Sequence, residues 1–190
     1  MSPRFQSIYL LAGIFALGFG SCAFAVEYTE VNSTASTISF TYNQMGARVY
    51  GTFSKFGGVL NFDTTHPGTA QARLTIDLDS IEAGSDDANV ELKKPAWFDT
   101  GSYPHAIFES TRFKDLGNNR YQITGNLTLR GLTREVVVPV LLKSERAIGI
   151  FDGELVLKRR DFNIGAGEWA DSFISDDIEI HLRIVAPENR

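Results

Sequence analysis

The 190-residue chain predicts an all-β domain: an antiparallel closed barrel of about eight strands with one short inserted helix. Three observations carry this. Past a short leader, apolar residues recur at every second position in run after run. The runs are separated by short connectors containing Gly, Asn, Asp or Pro, which suit antiparallel neighbours. Helical periodicity is confined to one brief stretch. A sheet of many short strands keeps exposed edges unless it closes on itself.

The leader comes first. Arg4 precedes an apolar run from Ile8 to Phe19, then small residues and Ala23-Phe24-Ala25. That is the order of a secretory signal peptide. The apolar run is shorter than the roughly 20 residues of a membrane span. Residues 1–25 therefore read as a signal peptide cleaved after Ala25, and 26–190 as one barrel domain. Cys22 follows Phe19-Gly20-Ser21, with phenylalanine where a lipidation site wants an aliphatic residue. With cleavage at Ala25 the only cysteine leaves, and disulfide and thiol chemistry leave with it.

The elements follow in order. Thr37 to Tyr42 alternates, with Ile38, Phe40 and Tyr42 on one face, and Asn43-Gln44-Met45-Gly46 breaks it. Arg48 to Phe53 resumes, interrupted by Gly51, and Val59 to Phe62 follows Gly57-Gly58. Glycines inside strands mark bends or close backbone approach, so this part of the sheet is expected to curve strongly. Asp63 to Gly68 is a turn. Ala72 to Leu78 places Leu74, Ile76 and Leu78 on one face.

Ser85-Asp86-Asp87 starts the helix, Ala88 to Lys94 continues it, and Pro95 ends it. Trp97-Phe98 sits just past its end. Strands are then expected at Ala106 to Phe113, Tyr121 to Arg130, Val136 to Ser144 and Ile148 to Leu157, the last broken by Gly149 and Gly153. Tyr121, Ile123, Leu127 and Leu129 share a face with Gly125 between them. Gly131 with Thr133-Arg134-Glu135 reads as a polar break between two of these strands. Asp161 to Gly167 is a loop, and Ile178, Ile180, Leu182 and Ile184 line one face of a last strand.

Several of these stretches together resemble the YceI family of exported, lipocalin-like proteins. Gly125-Asn126-Leu127-Thr128-Leu129-Arg130-Gly131-Leu132-Thr133-Arg134 is similar to that family's G-D-L-T-I-x-G-V-T-K/R signature. Gly51 to Gly58 resembles its G-x-F-x-x-F-x-G segment, and Tyr103 to Ser110 its Y/F-P-x-A/I-x-F-x-S segment. Arg159-Arg160-Asp161-Phe162-Asn163-Ile164 resembles R-x-D-F-G-I, with Asn163 for the usual glycine. Two departures stand out. Gln44 occupies a common histidine position, and the helix pattern R-D-x-H-L appears as Ala88-Asn89-Val90-Glu91-Leu92. Trp97-Phe98-Asp99 and Gly165 to Asp171 look like the subgroup associated with cytochrome b561-type membrane proteins.

The resemblance implies an apolar barrel channel holding an isoprenoid lipid, a polyprenyl chain or a quinone, and a periplasmic location. Phe40, Tyr42, Phe53, Ile76, Trp97, Phe98, Phe108, Leu127, Leu129 and Trp169 are the expected channel residues. Phe56 and Phe62 belong to the same aromatic set, and Arg48, Asn89 or Glu91 would orient a head group. An enzyme acting on an isoprenoid or quinone stays open as an alternative. So does a partner of a membrane b-type cytochrome, and a homodimer.

Composition agrees with binding a greasy ligand. Phe contributes 14 residues, enough to fill a core or line a cavity. Net charge is −5, and more negative once Arg4 is lost, which argues against nucleic acid or an anionic membrane as electrostatic partner. Lys93-Lys94 and Lys158-Arg159-Arg160 read as solvated ends of elements. His66, His105 and His181 are far apart and in different elements, which predicts no metal site. Asp86-Asp87 and Asp176-Asp177 read as capping and turn residues, and no nucleophile motif is present, so no catalytic residue and no cofactor is expected.

Overall fold

The computed structural model describes residues 25–165 and 173–189. The leader before Ala25, Cys22 and Trp169 lie outside them. Eleven strand segments and one helix follow in order: β1 (Glu27–Glu30), β2 (Thr37–Gln44), β3 (Ala47–Phe53), β4 (Phe56–Asp63), β5 (Gln71–Asp77), β6 (Ile81–Glu82), α1 (Asp86–Leu92), β7 (His105–Gly117), β8 (Arg120–Leu129), β9 (Leu132–Glu145), β10 (Ile148–Lys158) and β11 (Asp177–Asn189). All pairings are antiparallel.

The eleven segments make an eight-stranded barrel. A ring runs β1-β4-β5-β7-β8-β9-β10-β11 and closes where Glu27 and Tyr28 pair with Asn189 and Glu188. β2 pairs with β11 at Thr37–Thr41, so β1 and β2 are one bent strand against the same partner. β3 with β4, and β5 with β6, are bent in the same way, because β3 and β6 pair beside β2 while β4 and β5 pair beside β1. The bend between β3 and β4 is pinned. Buried Ser80 accepts from Ser54 N through its carbonyl (3.1 Å) and from Lys55 N through its hydroxyl (3.0 Å).

Tight turns set the register. Met45-Gly46, Asn118-Asn119 and Arg130-Gly131 each supply two consecutive positive φ angles and join paired strands directly. Such two-residue turns match the twist of the flanking strands. Outward positions carry cross-strand charge pairs such as Lys143–Asp152 (2.6 Å) and Lys158–Asp177 (2.7 Å). These exposed pairs favour register more than stability.

The structure corrects the sequence reading at several places. Thr133-Arg134-Glu135 is not a break; it pairs with Thr128, Leu127 and Asn126 inside β9, and the turn is Arg130-Gly131 alone. Asn43 and Gln44 belong to β2, paired with Arg48 and Ala47. β3 passes through Gly51, and β10 through Gly149 and Gly153, without interruption, since an antiparallel ladder needs only the backbone. The helix is Asp86–Leu92, ending two residues earlier than expected, with the Ser85 hydroxyl accepting from Ala88 N at 3.2 Å as its cap. Arg159 is not solvated but 3% exposed.

One end of the barrel is plugged by aromatic rings. Tyr28, Phe62, Phe113, Tyr121 and Phe151 are buried, with Phe62 edge-on to Tyr121 at 5.0 Å and to Phe151 at 5.4 Å. Edge-to-face contact adds to the burial that holds this end closed. The wall opens partway along its other half. β9 and β10 pair only from Glu145–Ile148 to Val140–Gly153. Pro139, next in line, has no N–H to offer, and beyond it β9 stays with β8 and β10 with β11. The turn Arg159–Phe162 packs where the two strands diverge, and Phe162 is buried in a cluster with Leu127, Leu129 and Ile164.

Candidate functional site

Alternation decides which side chains point inward. On β8, Tyr121, Ile123, Leu127 and Leu129 are buried, as the period of two requires. The same rule turns Phe40 and Tyr42 of β2, Leu74 and Ile76 of β5, and Ile178, Ile180, Leu182 and Ile184 of β11 to the interior. Between the aromatic plug and the helix these side chains do not meet. They leave a cavity of about 280 Å³ with Phe151 at its floor. That volume is near the lower end of ligand sites.

Nine of the ten expected channel residues line this cavity: Phe40, Tyr42, Phe53, Ile76, Trp97, Phe98, Phe108, Leu127 and Leu129. Trp169 lies outside the described residues. Phe56 and Phe62 are not in the lining; Phe62 is part of the plug and Phe56 packs against the cluster around it. Sequence reading missed Leu60, Leu78, Val136, Val138, Phe151 and the β11 isoleucines as lining residues. Their alternation was visible, yet nothing in it separates a filled interior from a hollow one.

Glycines let the largest lining rings lie flat on the wall. Gly51 stands opposite Phe40 across β2 and β3, and a Cβ on Gly51 would lie 2.2 Å from Phe40 Cζ. Gly125 of β8 makes the same room for Phe108.

Polar groups gather at the helix end. Glu91 of α1 lines the cavity, accepting from Trp97 Nε1 at 3.1 Å and from Lys94 Nζ at 2.5 Å. The Lys94 ammonium first, then the Trp97 indole, hold its carboxyl below the usual range. Ala88 and Glu91, two of the helix positions where the chain departs from the family pattern, both face the cavity. Gln44, the departure outside the helix, does so as well. Burial pushes the Tyr42 phenol up. Arg48 instead pairs with Glu179, and Asn89 is taken up by Ala83 N (2.6 Å) and Glu82 (3.0 Å), so neither lines the cavity.

Arg159 is the structural centre of this end. Its Nε donates to Ser175 O (3.2 Å), Nη1 to Ile164 O (3.0 Å) and Gly165 O (2.6 Å), and Nη2 to Ile174 O (3.4 Å). One side chain thus ties Ile164-Gly165 and Ile174-Ser175 to the end of β10. Asn163 takes the left-handed φ of 55° that its family position normally gives to glycine, a conformation asparagine tolerates better than most residues. Arg130, from the β8–β9 turn, donates to the Asn163 and Pro95 carbonyls and links that loop to the segment after the helix. Among the described residues no three His, Cys, Asp or Glu side chains are grouped to hold a metal.

Comparison with known proteins agrees with this architecture. The YceI-like domain family matches residues 29–186, and the chain belongs to that family. A UPF0312 protein of Photorhabdus laumondii is 31% identical over 166 residues, covering 83% of this chain and 85% of that protein. The crystal structure of Burkholderia cenocepacia BcnA shares 36% identity with a TM-score of 0.80, covering 83% of this chain and 99% of that one. A polyisoprenoid-binding domain from Saccharophagus degradans, implicated in plant cell wall breakdown, has the same fold at 18% identity and a TM-score of 0.66, covering 86% of this chain and 99% of that one.

Proposed function

We propose that this chain is a binding and carrier protein for isoprenoid lipids, holding a polyprenyl chain or the tail of a quinone in the barrel cavity. The observation that carries the reading is the cavity itself: about 280 Å³, hydrocarbon along its length, polar only at the helix end. An empty space of that size in a packed interior forfeits contacts, so a fold that keeps one has a use for it. A prenyl chain would be held by burial, at roughly 25 cal/mol per Å² of apolar surface removed from water. The polyisoprenoid-binding domain with the same fold supports the ligand class.

The reading is of a carrier rather than an enzyme: Glu91 and Arg159 at the helix end are engaged in holding structure, and among the described residues no base faces a nucleophile there. It includes export by the leader to the periplasm, and a membrane b-type cytochrome as protein partner, for which co-purification from membranes is the test. The decisive experiment for the ligand is native mass spectrometry after incubation with an isoprenoid quinone. A one-to-one adduct is expected. A protein that takes up none across a range of prenyl chain lengths would end the proposal.

A further inference from the structure

Granting the isoprenoid reading above, the helix end of the cavity indicates what the polar end of the ligand is. Among the described residues, five lining side chains there carry polar atoms: Tyr42, Gln44, Glu91, Trp97 and Arg159, and the Trp97 N–H is spent on Glu91. Arg159 is already committed. Its guanidinium donates to four backbone carbonyls among the described residues and is 3% exposed, so turning it toward a ligand would strand buried acceptors. Lys94 is matched to Glu91 at 2.5 Å, and the pair presents no net positive charge. Glu91 itself stays ionised at neutral pH.

Two neutral groups remain. The Tyr42 hydroxyl makes no hydrogen bond among the described residues, and burial keeps its proton on. The Gln44 amide offers both donor and acceptor. We propose that the cavity selects an isoprenoid whose polar end is an uncharged oxygen group, a carbonyl or a hydroxyl, over the phosphorylated form of the same chain. Tyr42 and Gln44 hold that oxygen. Glu91 sets the discrimination, because it lines the low-dielectric cavity and Lys94 does not, so a phosphate would meet the carboxylate with no uncommitted cation among the described lining residues.

The test is calorimetric titration of the purified protein with geranylgeraniol, a menaquinone with a prenyl tail of the same length, and geranylgeranyl diphosphate, each below its micellar concentration. The alcohol and the quinone are expected to bind at least about tenfold tighter than the diphosphate, the scale of one like-charge contact near a protein surface. Glu91→Gln keeps an acceptor for the Trp97 indole and is expected to narrow that ratio. Added salt is expected to narrow it in the parent protein, by screening. Equal or tighter binding of the diphosphate would overturn the selectivity while leaving the carrier reading standing. Failure of all three ligands to bind would overturn both.

Discussion

Phe108 of β7 lies across Gly125 of β8, so closely that a Cβ on Gly125 would fall 2.5 Å from two of its ring carbons and 2.6 Å from the Glu109 carbonyl. Gly125 is therefore the seat of a cavity-lining ring. Gly125→Ala is expected to lower stability by about 1–3 kcal/mol, the usual cost of overpacking. It should also weaken prenyl binding by driving Phe108 into the cavity. Urea denaturation and a ligand titration read the two effects, and an unchanged midpoint would show that the ring is free to move.

Arg159 holds the carbonyls of Ile164, Gly165, Ile174 and Ser175 with one buried fork. Arg159→Met leaves those acceptors without donors and is expected to cost about 3 kcal/mol or more. Arg159→Lys keeps the charge but not the planar set of donors, and should recover only part of that loss. Thermal unfolding of the three proteins orders them. Full recovery by lysine would mean that charge, not geometry, is what the site needs.

Asp63 is the clearest source of acid sensitivity. The Thr65 hydroxyl, then His66 and the Thr65 amide, hold its carboxyl down to about 2. A depressed pKa stabilises the fold above the unfolded value of about 4 and ceases to do so as pH falls through the folded value. Asp63→Asn is therefore expected to flatten the pH dependence of unfolding between about pH 4 and pH 2. The same slope in both proteins would assign that sensitivity elsewhere.

Trp97 is both a wall of the cavity and the second hydrogen-bond partner of Glu91. Trp97→Phe keeps most of the ring and removes the N–H, so the Glu91 carboxyl should titrate higher than in the parent. Lys94→Ala should raise it further, since the ammonium is the larger influence. Carboxyl NMR titration measures both shifts, and no upward movement in either variant would remove Glu91 from its assigned role.

Much of the barrel was legible because its inward faces alternate over many residues. The clearest case is β8, where Tyr121, Ile123, Leu127 and Leu129 come inward together. β1 was not legible. It has four residues, and Tyr28, fully buried, is its one buried side chain, too few for a period to show. The Thr133-Arg134-Glu135 stretch misled for a different reason. It is polar on both faces because it lies at the barrel end, where little needs burying, yet its backbone still pairs. Arg159 gave no compositional signal either. Its neighbours Lys158 and Arg160 are solvated and pair outward with Asp177 and Asp176, and only the fold of 159–165 brings the middle member inside. The cavity was legible as a set of residues but not as a volume, since Phe62 of the plug and Phe53 of the lining follow the same sequence rule.

The carrier reading stands or falls on what the barrel contains in its native host. Organic extraction of the protein purified from its native host, followed by mass spectrometry, tests it most directly. The expected result is an isoprenoid with a carbonyl or hydroxyl end, approaching one molecule per chain. Repeated extracts free of any prenyl lipid, from protein that also refuses to be loaded, would contradict it.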